Sequence, residues 1–282
     1  GSWLAWKNWT GKPIQATNLP QADPLLPTSP VSRPAPPPDG YVGSAACAEC
    51  HEDLCRSFAQ HPMGRSSALT PGPADIEDFS EAKAAFTAVD GTRYKAEKVG
   101  DEIWHHAMGT DSQGRMLYDQ ALRVSLAIGS GTRGKTYGIN RDGFLLQSPV
   151  TWYSTKGGYF ELSPGYENIA GKSHFSRRIS EECLICHIGR MEFDKNIPDK
   201  LIPPYFHEIA IGCERCHGPG AKHVSGQQNL KSASPDLTIV NPVRLPMRER
   251  ESICNQCHLH GDFRAVRYGR HPRDFRPGMA LE

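Results

Sequence analysis

The sequence lacks an excess of charge of either sign. Its 282 residues include 32 lysines and arginines against 31 aspartates and glutamates, which gives a formal net charge of +1. A protein that binds nucleic acid usually shows a basic field, and this chain has none. We therefore expect no nucleic acid among its partners.

Long apolar runs are missing as well. Hydrophobic residues make up 38% of the chain and the mean hydropathy is −0.52, which is lean for a core of this length. No run approaches the roughly 20 apolar residues of a membrane-spanning helix. With 27 glycines and 23 prolines, long regular elements are not expected to dominate.

Cysteine, in contrast, is abundant and patterned. Eight of the nine cysteines occur in four copies of one spacing, Cys-x-x-Cys-His: Cys47, Cys50 and His51; Cys183, Cys186 and His187; Cys213, Cys216 and His217; Cys254, Cys257 and His258. This spacing is the attachment signature of c-type haem, in which two thiols add to the vinyl groups and the histidine ligates the iron. The sequence predicts four covalently bound haem c groups.

Other interpretations of the cysteines are weaker. A structural zinc site would pair two Cys-x-x-Cys units and would need no histidine after each. A disulfide framework would not repeat one spacing four times, and a thioredoxin-like motif would occur once. Because bacterial haem c is attached outside the cytoplasm, the motifs favour a periplasmic or cell-surface location.

Composition divides the chain into five segments. Residues 1–19 are Trp-rich and represent either the end of a membrane tether or a strand packed on the domain. Residues 20–40 are a Pro-rich linker. Residues 41–80 form a first haem-binding unit, residues 81–163 a β-rich insertion and residues 164–282 a three-haem unit. The predicted fold class is mostly irregular and α, with short helices around four haems plus an antiparallel β insertion.

Eight histidines remain after the four motif histidines are set aside, and distal iron ligation explains this surplus. His223 is the first candidate because a Gly218-Pro-Gly220 turn separates it from the third motif. His174 precedes the second motif. His61 and Met63 lie in one short segment, and either of them could ligate. His105, His106, His207, His260 and His271 are weaker candidates, and Cys55 is predicted to be a buried free thiol near a haem.

Several stretches resemble multihaem cytochromes of the cytochrome c-554 type, a group that often precedes tetratricopeptide repeats. The matching stretches are Tyr41–His51, Met63–Ser66, Ile128–Gly131, Pro149–Tyr153, Ser163–Tyr166, Ile211–Gly220 with His223 and Val224, Ile253–His258 and Phe275–Gly278. The resemblance implies electron transfer through closely packed haem pairs. It implies distal ligation by His223 and His174 and places Met63 at a ligand position, although His61 beside it leaves that donor ambiguous.

Three functions follow from these patterns. The first is an extracytoplasmic tetrahaem electron carrier between redox partner proteins, such as quinol-oxidising or terminal reductase complexes. The second is a redox enzyme with one open-site haem that acts on a small nitrogen, sulfur or peroxide species. The third is a subunit of a cytochrome filament or a larger redox assembly, for which the Pro-rich arm leaves room. The carrier is the favoured interpretation, and no catalytic residue is assigned.

Overall fold

The computed structural model describes residues 40–70, 72, 76–166, 174–229, 236–259, 265–266 and 268–281. The Trp-rich segment, His260 and nearly all of the Pro-rich linker lie outside these residues. The described chain divides into two compact units. The sheet unit contains Leu69–Ala127 and Arg133–Arg178, and the motif unit contains residues up to Ala68, Ile128–Thr132 and the chain from Ile179 onward.

Eleven strands and seven helices are present in the described residues. The strands are β1 (Ser67–Leu69), β2 (Ala85–Thr87), β3 (Arg93–Val99), β4 (Glu102–Thr110), β5 (Met116–Arg123), β6 (Leu126–Ile128), β7 (Gly134–Arg141), β8 (Phe144–Tyr153), β9 (Tyr159–Leu162), β10 (Arg190–Phe193) and β11 (Leu201–Glu208). The helices are α1 (Ser44–Ala48), α2 (Glu52–Gln60), α3 (Glu81–Ala84), α4 (Glu181–Leu184), α5 (Glu214–His217), α6 (Ala221–Asn229) and α7 (Met247–His258). Short 3-10 helices occur at Met63–Arg65, Thr155–Gly157, Pro242–Arg244 and Pro272–Asp274.

The sheet unit is built from antiparallel hairpins. One sheet has the order β2-β3-β4-β5, and a five-stranded sheet has the order β1-β6-β7-β8-β9. The β7–β8 hairpin turns through Asp142 and Gly143, whose φ angles of 54° and 87° suit the two-residue turn that matches strand twist. Gly143 N–H donates to the Asn140 side chain at 3.1 Å, which completes the turn.

Alternating burial gives this unit its own core. On β4, Ile103, His105 and Ala107 are buried, whereas the residues between them are only partly covered. This period of two points one face of the strand inward. Tyr137 and Phe160 are also fully buried in the apolar cluster, and burial of one such side chain contributes roughly 1.5–3 kcal/mol.

The motif unit uses shorter elements. Its longest helix, α7, has 12 residues and carries the fourth Cys-x-x-Cys-His motif at its end. The other three motifs lie on or directly after α1, α4 and α5, which have four or five residues each. The β10–β11 hairpin pairs Arg190 with Glu208 and Phe193 with Leu201. None of the helices that the structure describes is long and apolar enough to cross a membrane.

The expected fold class, mostly irregular and α with a single β insertion, is wrong. The structure is rich in antiparallel β-sheet, arranged as three sheets. Residues 93–162 alone hold seven strands, and β10–β11 adds a sheet beside the second motif. The reason is the period of the apolar residues: on strands such as β4 the buried residues alternate with partly covered ones, and this period of two suits a strand and not a helix.

Candidate functional site

Each Cys-x-x-Cys-His motif folds as a single helical turn. In the first motif, the amide of His51 donates to the carbonyl of Cys47 at 2.9 Å, and the amide of His217 does the same with Cys213 at 3.0 Å. Residues i and i+3 or i+4 of such a turn lie on one face. The two sulfurs and the imidazole of each of these motifs are therefore directed to one side, as covalent haem attachment requires.

The structure brings His223 to His51. Their ring centres are 6.2 Å apart and their planes differ by 13°. Two imidazoles that ligate one metal from opposite sides have centres about 6.3 Å apart, because a metal–imidazole bond is about 2 Å long. The spacing of this pair therefore fits an iron between proximal His51 and distal His223.

Hydrogen bonds at the remote ring nitrogens orient two of these imidazoles. The Nδ1 atom of His223 bonds to the carboxylate of Asp236, and hydrogen bonds from Thr238 and His223 hold the pKa of that carboxyl well below its usual range. The Nδ1 atom of His217 lies 2.8 Å from the carbonyl oxygen of Val240. Such partners fix the ring and leave Nε2 as the metal-binding atom.

Sulfur contacts connect the first motif to the third. The thiol of Cys47 hydrogen-bonds to Cys213. This bond and burial raise the pKa of Cys47, whereas the same bond lowers the pKa of Cys213 to about 5 against the opposing effect of burial. The backbone amide of Cys213 also donates to the hydroxyl of Ser44, at the start of α1, at 3.0 Å. These two motifs are therefore direct neighbours.

Arg215 connects the third motif to the second and the fourth. Its guanidinium donates to the carbonyl of Ile185, inside the second motif, at 2.6 Å and lies 3.9 Å from the sulfur of Cys257 in the fourth. The side chain of Gln256 donates back to the carbonyl of Arg215 at 3.2 Å. The third motif thus contacts all the others.

His61 accepts a hydrogen bond from the backbone two residues further on. The amide of Met63 donates to Nδ1 of His61 at 3.2 Å. An imidazole that accepts at Nδ1 carries its proton on Nε2 when neutral, so neither nitrogen has a free lone pair. In this geometry the thioether of Met63 is the better candidate iron ligand of the two side chains.

His174 lies among tyrosines. It belongs to the sheet unit, where its Nδ1 is 2.8 Å from the hydroxyl of Tyr94 on β3 and its Nε2 is 3.3 Å from that of Tyr118 on β5. Desolvation lowers the pKa of His174. Both ring nitrogens are thus engaged by tyrosines in this structure.

The weaker histidine candidates have structural partners. His105 is fully buried, its Nδ1 is 2.7 Å from the hydroxyl of Ser148, and desolvation lowers its pKa to about 3. His106 lies between the carboxylates of Glu97 and Asp119, both at 3.0 Å. His207 pairs with Glu192 on β10, and His271 caps the 3-10 helix at Pro272–Asp274.

Cys55 is half-buried next to the first and third motifs. Its sulfur is 4.0 Å from the carbonyl of Ser44 and also hydrogen-bonds to Cys213. Desolvation raises the pKa of its thiol.

Sequence reasoning missed Glu214, Arg215 and Asp236. Glu214 and Arg215 are the two residues between the cysteines of the third motif. The signal that could have found them is their charge, since the spacer residues of the second and fourth motifs carry none. Asp236 follows the motif by 19 positions and gives no comparable signal.

Comparison with known proteins also supports a multihaem c-type cytochrome. The family described as cytochrome c554 and c-prime matches residues 160–218, which contain the second and third motifs and His174. None of the curated proteins matches the chain. Among solved structures, the outer cell wall cytochrome OcwA is similar with a TM-score of 0.42 and 19% identity, over 78% of this chain and 37% of that one.

The chain therefore spans 37% of the length of that solved structure. The family match and the repeated motif support a multihaem c-type cytochrome with covalently bound haem.

Proposed function

We propose that the protein is an extracytoplasmic tetrahaem c-type cytochrome that transfers electrons between redox partners. The observation that carries the proposal is the contact of the third motif with the other three, through Cys213, Arg215 and their partners. Motifs in such direct contact would hold their haem macrocycles close together. Electron transfer along a chain of haems requires this closeness.

The residues of the chain fit haem. Each pair of motif cysteines would hold one macrocycle by thioether bonds, and His51, His187, His217 and His258 would bind the four irons. Bound haem supplies reversible one-electron chemistry. The protein's own contribution is to choose axial ligands, to orient them and to exclude water.

The His51–His223 pair favours electron transfer over catalysis at the first haem. With His51 on one face of the bound haem and His223 on the other, the iron would have no coordination position open to a substrate. The hydrogen bond from His223 to Asp236 would hold this imidazole in one orientation.

Contacts between motifs suggest an order for the centres. Cys47 contacts Cys213, and Arg215 and Gln256 join the third motif to the fourth. The sequence of neighbours is therefore first, third and fourth, with the second attached to the third through Arg215. In this order the third haem would be the branch point of the electron path.

The proposed location and partners of the protein are inferred from the chemistry of haem c attachment. Haem c attachment favours the periplasm or the cell surface, with a membrane tether ahead of the haem sites. Protein partners that oxidise quinol or reduce a terminal acceptor would suit a carrier with several centres. Self-assembly into a larger redox complex is a second arrangement of the same carrier.

The test begins with the purified, haem-loaded protein. Intact mass and iron content should both give four haems, and a potentiometric titration should show four overlapping one-electron steps. Fewer than four haems, or a single step, would contradict the proposal. Cyanide and carbon monoxide binding separates carrier from enzyme: stoichiometric binding at one resting haem would favour the open-site enzyme.

A further inference from the structure

Glu214 is a buried carboxylate that lies between two segments of the first haem site. Its side chain is 3% exposed. Oε1 accepts from the amides of Val42 at 2.9 Å and Gly220 at 2.7 Å, and Oε2 accepts from Gly43 at 2.7 Å and Val42 at 3.1 Å. One carboxylate thus satisfies three backbone donors from two distant segments.

These donors lead directly to the two axial ligands. Val42 and Gly43 precede α1, which carries Cys47 and leads into His51. Gly220 precedes α6, which carries His223. We infer that Glu214 of the third motif is a positioning residue that sets the separation of the His51 and His223 imidazoles at the first haem.

Close packing of the same two segments supports this inference. The amide of Ala221 donates to the carbonyl of Gly40 at 3.0 Å, beside the carboxylate. A Cβ atom on Gly220 would lie 3.1 Å from the Val42 side chain and 3.2 Å from Oε1 of Glu214. The segments therefore approach as closely as a glycine permits, and the carboxylate is the polar group between them.

A carboxylate is required here rather than an amide. Both oxygens of Glu214 accept hydrogen bonds, whereas a glutamine offers one acceptor and one donor group. The amide nitrogen of a glutamine would face a backbone N–H, and a buried donor would lose its partner. Glu214→Gln is therefore expected to separate the two segments while it keeps the size of the side chain.

The chain supplies a matched control in Glu208. This neighbouring carboxylate accepts from the amide of Ser44 at 3.0 Å and so contacts the start of α1. No hydrogen bond joins Glu208 to Gly220 among the described residues. Glu208→Gln therefore removes a charge and a contact to α1 without touching the segment that carries His223.

The experiment measures the spin state of each haem in the fully loaded protein. Electron paramagnetic resonance and optical spectra should show one of four haems partly high-spin in Glu214→Gln, with cyanide binding at that haem at least tenfold tighter than in the wild type. Glu208→Gln should keep the wild-type spectrum. An unchanged spectrum in Glu214→Gln, or the same change in Glu208→Gln, would overturn the inference.

Two further variants keep the test decisive. The inference rests on the proposed ligation of one iron by His51 and His223, and His223→Ala tests that ligation separately. If His223→Ala leaves the spectra of all haems unchanged, the assignment of His223 as a ligand fails. If His223→Ala creates one high-spin haem and Glu214→Gln does not, only the positioning role fails. Should Glu214→Gln bind fewer than four haems, Glu214→Asp replaces it: it keeps the charge, shortens the reach of the carboxylate and should give the same single high-spin haem, so that an unchanged spectrum then refutes the role.

Discussion

Protonation of His105 should make the stability of the sheet unit depend on pH. This imidazole is fully buried on β4 against Tyr137 and Phe160, its Nε2 has no hydrogen-bond partner among the residues that the structure describes, and desolvation lowers its pKa to about 3. In the unfolded chain the pKa returns to about 6.5. Between these values the unfolded state binds a proton that the folded state does not.

The sign and size of the effect follow from this difference. Stability is fully present above pH 6.5 and is lost as the pH falls toward 3, because protons favour the unfolded chain. The slope is at most about 1.4 kcal/mol per pH unit, so the loss between pH 6.5 and pH 4.5 is at most about 2.7 kcal/mol. A histidine that ligated iron would not behave in this way.

Urea unfolding followed by far-UV circular dichroism at several pH values measures this loss. His105→Gln should remove most of the slope below pH 6.5 and leave the visible spectrum of the haems unchanged. His207→Gln, at a partly exposed histidine in the motif unit, is the matched control and should retain the slope. Equal slopes in wild type and His105→Gln, or an altered haem spectrum, would refute the reasoning.

Four other substitutions test the haem sites and the core. Asp236→Asn should weaken the binding of His223 to iron, since loss of such an outer partner typically costs about 10–100-fold in ligand affinity. Cyanide titration should then show tighter cyanide binding at one haem. An unchanged titration would contradict this. Met63→Ala should alter the optical spectrum of one haem while His61→Ala should not, and the reverse result would assign the ligand to His61. Phe160→Ala should lower the free energy of unfolding by about 3–5 kcal/mol in urea titrations. A decrease of less than about 1 kcal/mol would show that Phe160 does not pack in the core.

The attachment chemistry could be predicted from sequence because it is local. Two cysteines and a histidine within five residues define the site before any folding, so the four motifs need no tertiary information. His223 was also predicted from its position after a glycine-proline turn. Its placement opposite His51 stays a prediction until a ligand is identified, but the 6.2 Å spacing agrees with it.

Partners distant in sequence could not be predicted in the same way. His174 was predicted as a distal ligand from its position before the second Cys-x-x-Cys-His, and this stays a prediction; its hydrogen bonds to tyrosines of β3 and β5 join residues distant in sequence and could not be foreseen. The β10–β11 hairpin was missed because Pro203 and Pro204 argue against a strand. In a two-stranded sheet both strands are edges, and an edge strand tolerates proline where its N–H would face away.

Glu214 also has a consequence for biogenesis. Val42 and Glu214 are separated by 172 positions in the chain. The surroundings of the first attachment point are therefore completed by residues of the third motif and beyond it. Products truncated before Glu214 should carry a first haem that is covalently fixed but incompletely ligated.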